Sequence, residues 1–337
     1  MKKFLIDSCY INDGGGFVLL KYLISYLEKN KLNVFYLLDS RCEKDFLNLK
    51  NCSFINASMI ERYKFYSKID NDFDSILCFG NVPPPVRVNA KTVIYFHQPL
   101  FLSIPENFSL KNKIIYKLKQ MVLSTLRKNA DIWLVQSEYI KQKFSHKYLG
   151  NSSEKVLKLP FYPQINFSGF QIQREKGGLL YVSNSSPHKN HVKLIEAFCL
   201  AYDEIRAGHL TLTVPQNDEI LCSLIKEKKL LGYPIFNVGF QPREKLTELY
   251  LRHEYLIFPS LAESFGLGLA EAIDGGCKVI ASDLPYTYEV CKPSLIFDPN
   301  SLDSIKLSII KALEEELPSP LKLIDNDISK LINILME

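Results

Sequence analysis

Tryptophan occurs only once in the 337 residues, so 21 Phe and 18 Tyr supply the aromatic packing without marking a ligand cage. No apolar run approaches the ~18 residues needed to cross a bilayer, which excludes a helical membrane span. The eight cysteines form no CxxC pair and no short metal-binding spacing. They read as small buried hydrophobes, not as disulfide partners or a zinc ribbon. A secretory signal is also missing, because Asp7 interrupts the apolar stretch of the opening MKKFLIDSCYI. That segment reads as a first buried strand, and a cytoplasmic location is the expectation. The N-x-S/T matches then carry no weight.

What is present is a core-forming chain, with 47% apolar and 23% charged residues and a length that suits two domains. Its charge is uneven. Residues 1–170 carry 24 Lys and Arg against 14 Asp and Glu, whereas residues 171–337 carry 17 against 23. Only the first half is therefore suited to an anionic partner. Short apolar runs such as KKFLIDSC, NVFYLLDS, DSILCFG, KTVIYFH and DIWLVQS end in polar or small residues, as buried parallel strands do. Phe17, Leu20, Leu23, Ile24 and Leu27 repeat at helical spacing between the first two. After a proline- and glycine-bearing stretch at 160–176, a second series runs from GLLYVSN to PSLIFDP, with helices expected near 190–201, 218–230, 243–251 and 266–274. The fold class expected is α/β, two doubly wound Rossmann-like domains facing across a cleft. The expected domains are 1–165 and 175–305, followed by a helical segment, 306–337, returning to the first.

The strongest local signal is YLIFPSLAESFGLGLAEAIDGGCKVIASD. Its strand delivers Pro259 and Ser260 to a sheet edge, the turn presents Glu263, and Gly266 and Gly268 open a helix carrying Glu271. Glycines there let main-chain N–H groups approach a ligand, and a helix start favours phosphate. Glu263 is then placed for sugar hydroxyls and Glu271 for a ribose; the alternative is two ordinary helix acids. Lys189, in YVSNSSPHKN, stands just ahead of another helix start and would add an ammonium to a diphosphate.

These motifs resemble the retaining GT-B glycosyltransferases, the large bacterial family of mannosyl- and glucosyltransferases of polysaccharide assembly (glycosyltransferase family 4-like). The family's Glu, seven residues, Glu follows a proline-serine strand end, here Glu263 and Glu271. The likeness extends through VGF at 238–240, REKLTELY at 243–250 and YVSNSSPHKN at 181–190. It implies that Glu263 contacts the transferred sugar, Glu271 the ribose, and the N–H groups near Phe265, Gly266 and Leu267 the diphosphate. Lys189 would share that diphosphate. Asn184 stands where the family commonly has arginine, and Ser183 where it has glycine.

In the first half, INDGGGF places Gly14, Gly15 and Gly16 after strand one, and the resemblance implies a loop whose Gly15 and Gly16 reach the phosphate or acceptor. His97 ends the strand in KTVIYFHQP, where an α/β domain presents ligand groups. It is expected to donate to a sugar hydroxyl or to position the acceptor; the alternative is a loop histidine satisfied by its own surroundings. Asp72-Phe73-Asp74 spells a DxD metal motif but precedes its strand, so no metal ligand is assigned. His188 and His191 read as cap and surface groups, and His146, His209 and His253 connect with no site. SLKNKIIYKLKQMVLSTLRKN is a basic amphipathic helix, with Lys111, Lys113, Lys117, Lys119, Arg127 and Lys128 beside Ile114, Ile115, Leu118 and Met121.

The expected reaction is transfer of a sugar from a nucleotide diphosphate sugar to a saccharide hydroxyl, in O-antigen, capsule or lipopolysaccharide assembly. The expected acceptor is lipid-linked, with an anionic membrane surface contacted through 111–128 at the inner face of the plasma membrane. No cofactor, metal or nucleic-acid partner is expected. The rivals are a nucleotide-sugar epimerase or hydrolase on the same frame and a non-catalytic binding or scaffold protein.

Overall fold

A computed structural model describes residues 2–69, 72–104, 108–263 and 265–337. The chain divides into two compact units, Met1–Pro163 with Asp325–Glu337, and Gln164–Ile324.

The first unit runs β1 (Phe4–Ser8), α1 (Gly14–Lys29), β2 (Val34–Asp39), β3 (Cys52–Ile55), α2 (Met59–Tyr66), β4 (Ser75–Cys78), β5 (Lys91–Phe96), α3 (Leu110–Leu126), β6 (Ile132–Val135), α4 (Glu138–Tyr148) and β7 (Val156–Lys158). Among the described residues the strands make one parallel sheet in the order β3-β2-β1-β4-β5-β6-β7. Every residue of β1 is buried, as expected of a central strand covered by helices on both faces. On α1 the buried Leu19, Leu20, Leu23, Ile24 and Leu27 form the stripe that packs on the sheet. Serine side chains cap α2, α3 and α4 by accepting N–H bonds at Ser58, Ser109 and Ser137.

The second unit runs β8 (Glu175–Tyr181), α5 (His191–Ile205), β9 (His209–Leu212), α6 (Glu219–Leu230), β10 (Ile235–Asn237), α7 (Arg243–Arg252), β11 (His253–Phe258), α8 (Leu267–Asp274), β12 (Lys278–Ser282), α9 (Pro285–Val290), β13 (Cys291–Lys292), β14 (Leu295–Phe297), α10 (Leu302–Glu314) and β15 (Leu321–Lys322). Its parallel sheet has the order β10-β9-β8-β11-β12-β14, and β13 pairs antiparallel with β15. The paired α/β sheets match the fold class expected from the sequence.

The end of the chain is shared between the units. Helix α10 packs against α5 and stays in the second unit. Only Asp325–Glu337 belongs to the first, through α11 (Ile328–Met336). There Ile328, Leu331, Ile332 and Leu335 are buried at helical spacing. Ser75 Oγ donates to Leu335 O at 2.8 Å and Lys91 Nζ to Ile334 O at 2.7 Å, fixing α11 beside β4 and β5.

Candidate active site

In an open doubly wound sheet, ligands gather beyond the carboxyl ends of the strands where the strand order reverses. The reversals fall between β1 and β4 and between β8 and β11. Lys189 and Glu263 follow the second of these, and Gly14–Gly16 follow β1 at the first.

Two loops of the second unit are tied to each other. Tyr181 OH donates to Lys189 O at 2.9 Å and lies 3.1 Å from Ser260 Oγ. Leu261 N donates to His188 O at 2.8 Å, and Tyr286 OH to Ser260 O at 2.7 Å. Asn190 takes the left-handed conformation (φ 62°), from which its Nδ2 reaches Pro299 O at 2.9 Å and Pro259 O at 3.3 Å. With both backbones fixed, Lys189 Nζ meets Glu263 Oε1 at 2.5 Å. Their side chains retain 15% and 13% of their exposure, so the pair is screened from bulk water yet reachable. Burial, then the nearby Glu263, pushes the Tyr181 and Tyr286 phenols up, which keeps both protonated as donors.

Gly266, at φ 73°, begins α8 without a capping side chain. The first N–H groups of the helix, at Leu267 and Gly268, therefore have no cap from the Gly266 position, as an anion site requires. Phe265 and Gly266 are buried and Leu267 is half-buried. Gly268 lets α8 lie close on β11, since a Cβ there would stand 3.3 Å from Phe258 Cε2.

Glu271 occupies the next turn of α8 at 3% exposure. Arg243 Nη1 donates to its Oε1, and Tyr250 OH donates to its Oε2 at 2.9 Å. Burial raises the Glu271 carboxyl above its ordinary value, with Arg243 opposing. Each carboxylate oxygen keeps an acceptor lone pair beyond these bonds. Asn184 is exposed and turns back on its own loop, its Oδ1 accepting from Ser186 N at 3.2 Å.

In the first unit the three glycines do not form a loose loop; Gly14, Gly15 and Gly16 are the opening turn of α1. Asp13 contributes no side-chain cap, leaving another uncapped helix start. A Cβ at Gly15 would meet nothing within 4 Å, whereas one at Gly16 would stand 2.7 Å from His97 Cε1. His97 N donates to Asn81 Oδ1 at 2.7 Å, and its Nε2 lies 2.9 Å from Phe79 O. A carbonyl only accepts, so Nε2 carries the proton and Nδ1 presents a lone pair. Burial pushes the His97 pKa down to about 4, keeping the ring neutral near pH 7.

Beneath this loop Asp7 and Arg62, each 1% exposed, form an ion pair at 2.6 Å. Tyr66 OH adds a bond to Asp7 at 2.7 Å, and Arg62 donates to the carbonyls of Val82 and Pro83. The network thus fixes the loop from which Asn81 holds His97.

Of the other expectations, those for Asp74 and α3 hold and that for His191 does not. Asp74 sits at the amino end of β4, its carboxylate accepting from Lys3 N at 2.7 Å, away from the ligand edge. His191 is not a surface group: it is 3% exposed with its ring 4.9 Å from that of Tyr181. Helix α3 exposes Leu110, Ile114, Leu118 and Met121 together with Lys111, Lys117 and Lys119.

Residues 164–330 match the family model described as Glycosyl transferases group 1. The match takes in just under half of the chain, and it is this segment that is similar to the group 1 glycosyltransferases. The group 1 segment takes in the whole second unit. The O-antigen chain mannosyltransferase B of Escherichia coli is 31% identical over 145 residues, which cover 42% of this chain and 38% of that protein. This chain thus spans well under half of that relative. The O-antigen chain mannosyltransferase RfbU of Salmonella typhimurium is 25% identical over 260 residues, 76% of this chain and 69% of the relative. Sucrose-phosphate synthase from Thermosynechococcus elongatus shares the fold at TM-score 0.69 and 16% identity, covering 93% of this chain and 90% of its own. Anabaena HepE, solved in complex with UDP and glucose, does so at TM-score 0.66 and 15% identity, covering 94% and 90%. The architecture is GT-B.

Within this group 1 domain, sequence reasoning missed Arg243 and Tyr250, the partners of Glu271. Their separation by seven residues on α7, which places both on one helix face, was the available signal.

Proposed function

We propose that the chain transfers a sugar, with retention of anomeric configuration, from a nucleotide diphosphate sugar to a hydroxyl of a saccharide acceptor in surface polysaccharide assembly. The observation that carries this reading is the Lys189–Glu263 pair at 2.5 Å beside the uncapped start of α8. A cation and uncapped N–H groups suit a departing diphosphate, whose charge grows as the anomeric bond breaks. Lys189 then turns from Glu263 to the phosphates, and the freed carboxylate accepts from hydroxyls of the transferred sugar. Glu271, oriented by Arg243 and Tyr250, accepts from the ribose. Asn184 lines the phosphate approach. The first unit takes the acceptor, with His97 Nδ1 as a hydroxyl acceptor and Gly15 and Gly16 at the helix start. In this reading a diphosphate oxygen takes the acceptor proton on the face that the leaving group vacates, so no protein nucleophile and no metal or cofactor is assigned.

The relatives' O-antigen chain mannosyltransferase names favour mannose as the transferred sugar and an O-antigen saccharide as acceptor, and the acceptor is taken here to be lipid-linked. No helix among the described residues is long and apolar enough to cross a membrane. The basic, apolar surface of α3 fits an anionic membrane face, which would place the enzyme against the inner leaflet.

The test is a panel of mannose and glucose nucleotide diphosphates screened by thermal stabilisation and then by transfer to lipid-linked saccharides. The anomeric configuration of the product is read by NMR, and EDTA is added in a parallel arm. Stabilisation by one donor and a retained, EDTA-resistant product support the reading. An inverted product removes the mechanism, and failure of every donor removes the activity.

A further inference from the structure

At the opposite, amino edge of the second sheet, three adjacent strands each begin with a metal-ligating side chain: Glu175 on β8, His209 on β9 and His253 on β11. Their ligand atoms all lie within 4.8 Å of one another, the only such group among the described residues. We propose that Glu175, His209 and His253 bind one divalent transition-metal ion of the zinc class.

The backbone is shaped to bring these side chains together. Glu175 pairs with His253, but the register between β8 and β11 slips before Leu179 meets Tyr255. Such a bulge re-aims the side chains beside it. Gly177 accommodates it at φ 72°. Gly178 has no Cβ, and one there would stand 3.1 Å from both Cε1 and Nε2 of His209. The imidazole edge fills that space.

The donor atoms are correctly poised. His253 is 2% exposed, and its Nδ1 lies 2.8 Å from Leu249 O. That carbonyl can only accept, so Nδ1 carries the proton and the Nε2 lone pair accepts from Thr211 Oγ1 at 2.8 Å, a hydroxyl that a bound ion would displace. A histidine held by a backbone carbonyl at one nitrogen is the usual support of a metal-binding imidazole. His209 Nε2 lies 3.1 Å from Glu175 Oε2. Two ligands at about 2.0–2.1 Å from a tetrahedral zinc stand roughly 3.3 Å apart, so this pair is already at bridging distance. Arg252 Nε, 3.7 Å from Glu175 Oε1, steadies the other carboxylate oxygen. The rim is open: the side chains of His209 and Glu175 are 22% and 46% exposed, and Glu175 also lines a surface hollow with Gln173 and Arg252. Two imidazoles and one carboxylate select zinc-class ions over magnesium or calcium, and the outer position is left to water.

The ion would staple three strand starts and act on stability, remote in the sheet from Lys189 and Glu263. The test uses the full chain stripped of metal and titrated with Co²⁺ alone by visible spectroscopy, then with Zn²⁺ by calorimetry. Expected are one equivalent of each metal, a ligand-field spectrum without thiolate charge transfer, and a raised Tm. His209→Ala and Glu175→Gln, both at the accessible rim, should each weaken Zn²⁺ at least tenfold, while His146→Ala leaves it unchanged. Equal affinity in the rim variants and the unmodified chain, a thiolate band, or no heat and no spectral change would each overturn the site.

Discussion

The ring of His97 occupies the space that a side chain on Gly16 would need, with only 2.7 Å left between Cε1 and an added Cβ. Sequence proximity does not reveal this, because one residue lies in the first turn of α1 and the other follows β5. Gly16→Ala should push His97 off its bond to Phe79 O and lower stability by about 1–3 kcal/mol, the usual cost of overpacking. Gly15→Ala has open space and should leave stability unchanged or raise it by about 0.5 kcal/mol. Thermal melts and transfer rates of both variants check this. Equal behaviour would show that His97 yields easily and that Gly16 is not required for its placement.

His97 and His191 give the fold an acid-side sensitivity. Burial pushes both down from 6.5 to about 4, with Phe79 O opposing at His97 and Lys189 assisting at His191. Because the folded pKa lies below the unfolded one, the unfolded chain binds protons first. Stability is therefore full above pH 6.5 and falls as pH drops towards 4, by about 3 kcal/mol for each group at most. Neither ring nitrogen of His191 has a hydrogen-bond partner. His191→Leu should thus both flatten this slope and raise stability at pH 7 by roughly 1 kcal/mol. Denaturant titrations at pH 4.5, 5.5 and 7 of the unmodified chain and His191→Leu measure it, and parallel slopes would remove His191 from the account.

The Arg243–Glu271 pair separates structure from ligand binding. Arg243→Ala strands a buried carboxylate and should cost about 3 kcal/mol at pH 7. Burial then raises the Glu271 carboxyl further. A raised group gives stability that is complete below its unfolded pKa and lost as pH climbs through the folded one, so the variant should be less impaired at pH 5 than at pH 7. Glu271→Gln keeps the shape and removes that pH effect. It should weaken free nucleotide diphosphate by about 1–3 kcal/mol, whereas Glu263→Ala chiefly slows transfer. Calorimetric titration with nucleotide diphosphate decides between them; unchanged affinity in Glu271→Gln would end its assignment to the ribose.

How much was legible follows from locality. Buried strands such as Phe4–Ser8 and Lys91–Phe96 are apolar runs whose letters carry their own explanation. Val156–Lys158 buries one residue of three and leaves no such trace. The Glu263–Glu271 block could be read because strand, turn and helix start are contiguous. Gly14–Gly16 could not, since three glycines have no helix propensity and their helical state depends on Leu19, Leu20 and Leu23 packing downstream. Arg243 and Tyr250 escaped notice because their partner lies on another helix. His191 was misread because a polar residue at a helix start is usually exposed, and only the Tyr181 ring shows otherwise.

The last expectation concerns α3, where Leu110 is 76% exposed, Met121 63% and Leu118 55%. Positions 110, 114, 118 and 121 recur at helical spacing and make one apolar stripe, flanked by exposed Lys111, Lys117, Lys119, Arg127 and Lys128. Lys113 is half-buried and is the poorer electrostatic contact. Each well-placed cation near an anionic bilayer contributes about 1 kcal/mol, and burial of the stripe adds to it. Changing those five residues together to Gln should abolish sedimentation with vesicles containing phosphatidylglycerol, while donor hydrolysis persists. Since the Debye length is ~8 Å at physiological salt and ~3 Å at 1 M, high salt should mimic the charge change. Leu118→Gln with Met121→Gln should instead weaken binding in a salt-independent manner, because it removes the apolar share. If both variants sediment like the unmodified chain, α3 does not rest on lipid, and the positive first unit must be matched to a soluble anionic acceptor.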